Sequence, residues 1–315
     1  MGRGRRALRR RMLEPILLGS RSMRETVLNA LAARGHLIYC QQPEGNFFVD
    51  PGDRVVAHWL MWRDGWQRDE ITQMTDILNA AGRLPPEPVF IDAGANIGTH
   101  TVAFANLVGP GGTVHAFEPQ RRNFQMLAGN VALNALENVF CHQKAVGEAA
   151  SEIRLPPMPP ADTHFNFSAV ALSQDAQAGE TVPVVTLDSL GLSSCRLIKI
   201  DIEGMEPQAL AGARELIGRS RPFLYVENNE PGASQGLSAM LDELGYSAWW
   251  SISAYYDPRN FYANTVNVWQ NVVPSANLIC TPKEAKVTLG SYAPFLGAAD
   301  DWKACLQRMQ ERAKK

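Results

Sequence analysis

From Pro88 onward the chain alternates short apolar runs, each closed by turn-forming residues, with longer stretches of helical character. Val89 to Ala93, Thr113 to Phe117, Val139 to Val146, Arg196 to Asp201 and Phe223 to Glu227 read as strands. Gly98 to Leu107, Arg122 to Leu133, Pro207 to Ile217 and Gln235 to Leu244 read as helices. Strict alternation of this kind predicts βαβ units and a doubly wound α/β fold around a parallel sheet. Ser247 to Ile252 and Asn277 to Cys280 follow the last helix, separated by the polar, aromatic stretch Tyr255 to Asn271, and are expected as antiparallel sheet-edge strands.

Upstream, alternating and aromatic residues from Gly45 to Ala57 around Pro51-Gly52 predict a β-hairpin, and Asp69 to Ala80 a helix. Asp300 to Lys315 supports an amphipathic helix at most. The expected organisation is therefore a basic tail and helical extension over 1–44, a hairpin and helix over 45–85, the main α/β domain over 86–282, and a tail with a helix over 283–315. Pro156, Pro157, Pro159 and Pro160 mark a surface loop.

At 315 residues the chain is long enough for one large domain with extensions. A formal net charge of -2 leaves no overall electrostatic footprint for nucleic acid. The exception is local: Arg3, Arg5, Arg6, Arg9, Arg10 and Arg11 form a basic tail, read either as solvated or as a contact to anionic lipid or an acidic partner. No apolar stretch approaches the roughly 18 residues a bilayer span needs. Cys40, Cys141, Cys195, Cys280 and Cys305 are odd in number, scattered and without a C-x-x-C pair, which predicts reduced thiols and a cytoplasmic protein.

The chemistry concentrates at two strand ends. Residues 90–98 read FIDAGANIG: a strand, the acidic Asp92 near its carboxyl end, then Gly94, Asn96 and Gly98 leading into a helix. In doubly wound folds ligands sit outside the carboxyl ends of the strands, and glycine is used where the backbone passes close to the ligand. Asn96 stands where the dinucleotide pattern needs its second glycine, and the G-K-[ST] ending of a phosphate loop is absent. The loop suits S-adenosylmethionine instead: Asp92 near its ammonium, helix-start amides for its carboxylate. Glu118 ends the next strand, where an acidic side chain is placed to accept both ribose hydroxyls.

Together these residues resemble the FkbM-type methyltransferases, over about Gly45 to Cys280. The resemblance is carried by FIDAGANIGTHT (90–101), HAFEPQRRNFQML (115–127) with Asn130 and Asn134, VTLDSL (185–190), LIKIDIEGMEPQALAGA (197–213) and VEN (226–228). It implies a Rossmann-like class I methyltransferase sheet, S-adenosylmethionine as donor, and methyl transfer typically to oxygen of a sugar, glycan or secondary metabolite. It also implies Asp92, Gly94, Asn96 and Gly98 as cofactor loop and Glu118 as ribose ligand. His100 departs from the tyrosine common in the family, and Ala93 from its frequent valine.

Asp201 and Glu203 follow the strand LIKI, and Glu227 ends the next one, so all three are candidate catalytic carboxylates for aligning the acceptor and removing its proton. A divalent cation on Asp201 and Glu227 is compatible with this set, yet no metal ligand is assigned. Glu206 precedes Pro207 at a helix start, where the dipole alone explains it. His100, beside the cofactor loop, and Ser168, within Thr163 to Ser168, are candidate substrate-binding residues, and Tyr255 to Asn271 a further acceptor-recognition loop. Trp59, Trp62 and Trp66 read as core or as a sugar-stacking surface. Two rivals stand beside methyl transfer: a nicotinamide-dependent oxidoreductase, disfavoured by the loop spacing, and a non-catalytic partner protein, disfavoured by the intact loop and carboxylates.

Overall fold

A computed structural model of the chain describes residues 21–53, 56, 60, 68–80, 82, 84–156, 179–229, 232–253, 275–287 and 289–313. The arginine tail, Trp59, Trp62, Trp66, the stretch 163–168 with Ser168, and the stretch 255–271 lie outside the described residues.

The order along the chain is α1 (Arg21–Ala32), β1 (Ile38–Gln41), β2 (Asn46–Val49), α2 (Arg68–Ala80), β3 (Val89–Ala93), α3 (Thr99–Val108), β4 (Thr113–Phe117), α4 (Arg121–Leu133) and β5 (Val139–His142). There follow β6 (Ala145–Val146), β7 (Ser151–Leu155), β8 (Glu180–Val185), β9 (Leu197–Ile200), α5 (Glu206–Ala211), α6 (Arg214–Ser220) and β10 (Phe223–Glu227). Last come α7 (Ala233–Leu244), β11 (Tyr246–Ser253), β12 (Ser275–Pro282), β13 (Ala293–Pro294) and α8 (Trp302–Ala313).

Eight strands form one sheet in the order β13-β11-β12-β10-β9-β3-β4-β5. From β10 through β5 the pairing is parallel, while β12 runs antiparallel to both β10 and β11. The winding reverses at β3, whose neighbours are β4 on one side and β9 on the other, and ligands of open α/β sheets bind outside the carboxyl ends of the strands at such a switch point. Apolar side chains leave the sheet on both faces. Ile91, Ile198, Ile200, Leu224 and Val226 pack with Leu210, Leu216, Ile217, Leu237 and Leu241 of α5, α6 and α7. Phe90, Val114, Leu197, Phe223 and Tyr225 pack with Met74, Ile77 and Leu78 of α2 and Phe104 of α3. Burial on both faces is why these strands read as continuous apolar runs.

Three expectations need correction. The hairpin lies upstream of its expected place: β1 pairs with β2 across a turn at 42–45, and Pro51-Gly52 belongs to a later turn held by the Asp50 carboxylate, which accepts from the Gly52 amide at 2.8 Å. The expected strand Val139 to Val146 divides, because β5 stays on the main sheet while β6 leaves to pair with β8. With β7 these make a separate three-stranded sheet that the sequence did not announce. The expected helix Pro207 to Ile217 is two helices broken at Gly212 and Ala213. The second is started by Asp188 of the VTLDSL motif, whose carboxylate accepts from the Glu215 and Leu216 amides at 3.0 and 2.8 Å, satisfying amides that have no partner within the helix.

The hairpin is fastened to α4 by two motif asparagines one turn apart. Asn134 Oδ1 accepts from the Asn46 amide at 2.8 Å and its Nδ2 donates to the Asn46 carbonyl at 2.7 Å. Asn130 Oδ1 accepts from the Phe48 amide at 2.7 Å, and its Nδ2 donates to the Ile97 carbonyl at 2.8 Å. Two side-chain amides thus imitate a neighbouring strand for β2, and Asn130 ties that strand to the back of the loop after β3. At the other end, Trp250 Nε1 and Arg308 both donate to the buried Asp300 carboxylate, docking the segment before α8 on the sheet.

Candidate active site

The loop from β3 to α3 takes left-handed backbone at Gly94 (φ 82), Asn96 (φ 51) and Gly98 (φ 92), a conformation open to glycine and tolerated by asparagine. Its two glycines are needed for more than room around a ligand. A Cβ on Gly94 would lie 1.7 Å from the backbone oxygen of Asp201, and one on Gly98 would meet Leu127 of α4 at 2.8 Å. The loop is therefore wedged between the loop after β9 and helix α4. The Gly94 and Ala95 amides donate to the Phe117 carbonyl at 3.0 and 2.9 Å, fixing the loop to the end of β4.

Just beyond that end stands Glu118. It is buried, and its two oxygens accept from the Asn96 and Gln120 amides, both at 2.9 Å. Burial raises its pKa to about 7; the two amides and the Lys199 ammonium pull the other way without restoring an ordinary value. Each carboxylate oxygen retains a further lone pair, so the group can still receive two hydroxyls.

Asp92, fully buried on β3, accepts from the Thr101 hydroxyl at 2.6 Å through Oδ2, while its Oδ1 has no hydrogen bond and faces Lys199 at 3.4 Å. Lys199 is its register partner on β9. A buried lysine inside LIKI is costly unless paired, and three groups surround this one: Asp92, the Gly94 carbonyl at 3.1 Å, and Asp201 Oδ2 at 3.2 Å. Burial depresses its pKa, but the charges of Asp201, Asp92 and Glu70 outweigh that, and the ammonium is held above its usual value.

Past β9, one carboxylate oxygen from each of Asp201, Glu203 and Glu227 lies within 4.8 Å of the others. Like charges so close cannot all ionise freely. Burial and the charges of Asp201, Glu203 and Glu206 push Glu227 well above the usual range. Burial raises Asp201 too, but Lys199 and a hydrogen bond from Glu227 overcome it and leave Asp201 below its ordinary value. Of the two, Glu227 is the one that keeps its proton more readily and Asp201 the one that releases it more readily. All three side chains offer the oxygen donors a hard divalent cation takes. Glu206 serves the local backbone instead, since its Oε1 accepts from the Ile202 and Gly204 amides at 3.1 and 3.0 Å, closing the turn in which Glu203 holds a left-handed φ of 56.

His100 is buried in the first turn of α3, with Nε2 3.6 Å from Glu70 Oε2. Glu70, from α2, also accepts from the Ser275 hydroxyl of β12 at 2.6 Å. Asp92, Gly94, Asn96, Gly98 and Glu118 thus lie together at the carboxyl ends of β3 and β4, with Asp201, Glu203 and Glu227 at the ends of the neighbouring β9 and β10. Lys199, Thr101 and Glu70 were not singled out from the sequence. A charged residue in the middle of an otherwise apolar parallel strand was the available signal for Lys199.

A loop of left-handed backbone leading into a helix start, with the buried Glu118 carboxyl tied to it through the Asn96 amide, fits a ligand carrying a carboxylate and vicinal hydroxyls. The profile of the family described as Methyltransferase FkbM domain matches residues 92–248. The chain is 31% identical over 228 residues to the 31-O-demethyl-FK506 methyltransferase FkbM of Streptomyces tacrolimicus, covering 62% of this chain and 87% of that protein. It is 28% identical over 204 residues to Methyltransferase sdnD of Sordaria araneosa, covering 55% and 78%. Among solved structures, Methyltransferase FkbM from Methylobacillus flagellatus KT is 18% identical with a TM-score of 0.40, over 62% of this chain and 44% of that one. Among the described residues, no helix is long and apolar enough to cross a membrane.

Proposed function

This chain belongs to the FkbM methyltransferase family, and from that premise we propose that it uses S-adenosylmethionine to methylate a hydroxyl oxygen of a sugar, glycan or secondary metabolite. The observation that carries the reading is Glu118, buried one strand from the Gly94–Gly98 loop and joined to it through the Asn96 amide. In this reading Glu118 receives the ribose hydroxyls, Asp92 attracts the ammonium, and the start of α3 receives the carboxylate. S-adenosylmethionine bound there supplies an electrophilic methyl group on a sulfonium. The chain itself contributes alignment and proton removal. Asp201, the anion of its pair, accepts the acceptor's hydroxyl proton, and Glu227, keeping its own proton, donates a hydrogen bond to Asp201 and limits its motion. Glu203 borders the same space. His100 and Ser168 remain our candidates for acceptor contact. The relative named for 31-O-demethyl-FK506 supports an oxygen acceptor by its name.

The test is incubation of the purified chain with isotopically methyl-labelled donor and an extract of its own organism, followed by mass spectrometry of labelled products. Label on a hydroxyl oxygen, lost with Asp201→Ala while S-adenosylhomocysteine still binds, is the expected result. Label on nitrogen or carbon, or undiminished transfer by Asp201→Ala, overturns the assignment.

A further inference from the structure

The chain places a lysine where the fold asks for an apolar residue. Its neighbours Leu197, Ile198 and Ile200 on β9 all pack into the two cores, whereas Lys199 shares the α2–α3 face of the sheet with its cross-strand partners Asp92 and Tyr225. An ammonium has three donors, and this one has three acceptors in reach: the Gly94 carbonyl, Asp92 Oδ1 and Asp201 Oδ2. The first two belong to the loop read as the cofactor's, and the third to the carboxyl pair read as the proton acceptor.

We infer that Lys199 is a positioning residue, a single buried cation that fixes the cofactor loop through Gly94 and Asp92 and simultaneously holds the Asp201 carboxylate in place on the acceptor side. The inference rests on the methyl-transfer reading of that site. The geometry gives the two halves of the reaction one shared support. Without the ammonium, Asp92 and Asp201 would be like charges facing each other across two adjacent strands. The proton shared near Asp201 and Glu227 would then lose the bias that holds it on Glu227.

Other titratable groups face Lys199 and Asp201 from each surrounding element: Glu70 of α2, His100 of α3, Glu118 beyond β4, Glu206 beyond β9, and Glu227 of β10, with Glu203 close to Asp201 and Glu227. Burial alone would push Asp201 upward, and Lys199 is the largest influence opposing it. An adjacent cation typically holds a carboxylate about 1–3 pH units lower, so removing it is expected to move Asp201 by at least about one.

The experiment uses the full chain with carboxyl-labelled Asp and Glu, following Asp201 and Glu227 by NMR against pH, alongside calorimetry with S-adenosylhomocysteine. In the unmodified chain Asp201 is expected to stay ionised below the range in which Glu227 titrates. In Lys199→Met, Asp201 should titrate at least about one pH unit higher and affinity should weaken about tenfold or more, while Lys199→Arg, retaining the charge, keeps Asp201 low. Weaker binding with an unmoved Asp201 titration means a merely structural lysine and overturns the inference, as does an unmodified chain in which Asp201 titrates above Glu227. That last result needs no variant to fold. Failure of the unmodified chain to bind S-adenosylhomocysteine would instead count against the methyl-transfer reading, with the Lys199–Asp201 link still decided by the titration.

Discussion

Gly94→Ala adds one carbon at the most crowded point of the loop. That carbon would sit 1.7 Å from the Asp201 carbonyl oxygen, against the 3.0 Å below which real Cβ atoms essentially never approach. Since the obstacle is backbone, the loop must withdraw by about 1.3 Å, the difference between those two distances. Withdrawal stretches the Gly94 amide bond to Phe117, now 3.0 Å, and the Lys199 bond to the Gly94 carbonyl, now 3.1 Å. A left-handed φ on alanine adds about 1–2 kcal/mol of strain, which for a chain of this size lowers Tm by about 2–8 °C before the clash is counted. A displacement of about 1 Å in a positioned group is enough for a rate loss near 100-fold, and the displaced loop should also bind S-adenosylhomocysteine more weakly. Methyl-transfer assays, calorimetry with S-adenosylhomocysteine and a thermal melt check these effects. Gly218→Ala is the control, because its Cβ meets nothing within 4 Å in a helix interior and should leave binding unchanged and stability equal or slightly higher. A Gly94→Ala protein with native Tm and native affinity would refute the wedge between the two loops.

Glu118 predicts a pH dependence of definite sign. Burial lifts its carboxyl from 4.5 to about 7, so between those values the folded chain holds a proton that the unfolded chain has released, and stability falls as pH rises through that window. The Tm of the unliganded protein, relative to Glu118→Gln, should decline from about pH 4.5 to about pH 7; a flat or rising difference contradicts the burial argument. Asn130→Ala strands the Phe48 amide and the Ile97 carbonyl, a loss of about 2–4 kcal/mol. A fall in Tm with faster hydrogen exchange at Phe48 is expected, and unchanged exchange there would show that the hairpin does not depend on the asparagine.

The strands β3, β4 and β10 lie where their apolar runs end at turn residues, so their bounds were legible to the residue. The strands β7 and β8 were not legible: SEIRL and ETVPVV place exposed charged or polar residues beside buried ones, and their pairing joins segments distant in sequence. The hairpin was misplaced because Pro51-Gly52 is a genuine turn signal serving a different turn, one whose Asp50 is also paired with Arg122 of α4. Around the candidate site, the placement of Asp92, Gly94 and Glu118 at strand ends was readable because strand-end glycines and acids have a local pattern. Lys199 and Glu70 were not, since their meaning depends on cross-strand register and on a helix packed from outside the motif. Glu206 was rightly read as serving its helix start, though it does so by capping the turn before it as well as by charge.

The central claim is that the Gly94–Gly98 loop and Glu118 hold one adenosyl ligand between them. Equilibrium titration of S-adenosylhomocysteine into the unmodified chain and into Glu118→Ala tests it most directly. The account predicts saturable one-to-one binding by the first and at least about tenfold weaker binding by the second, since two charge-assisted hydrogen bonds are lost. Equal affinity for both proteins, or no binding by the unmodified chain, would contradict it.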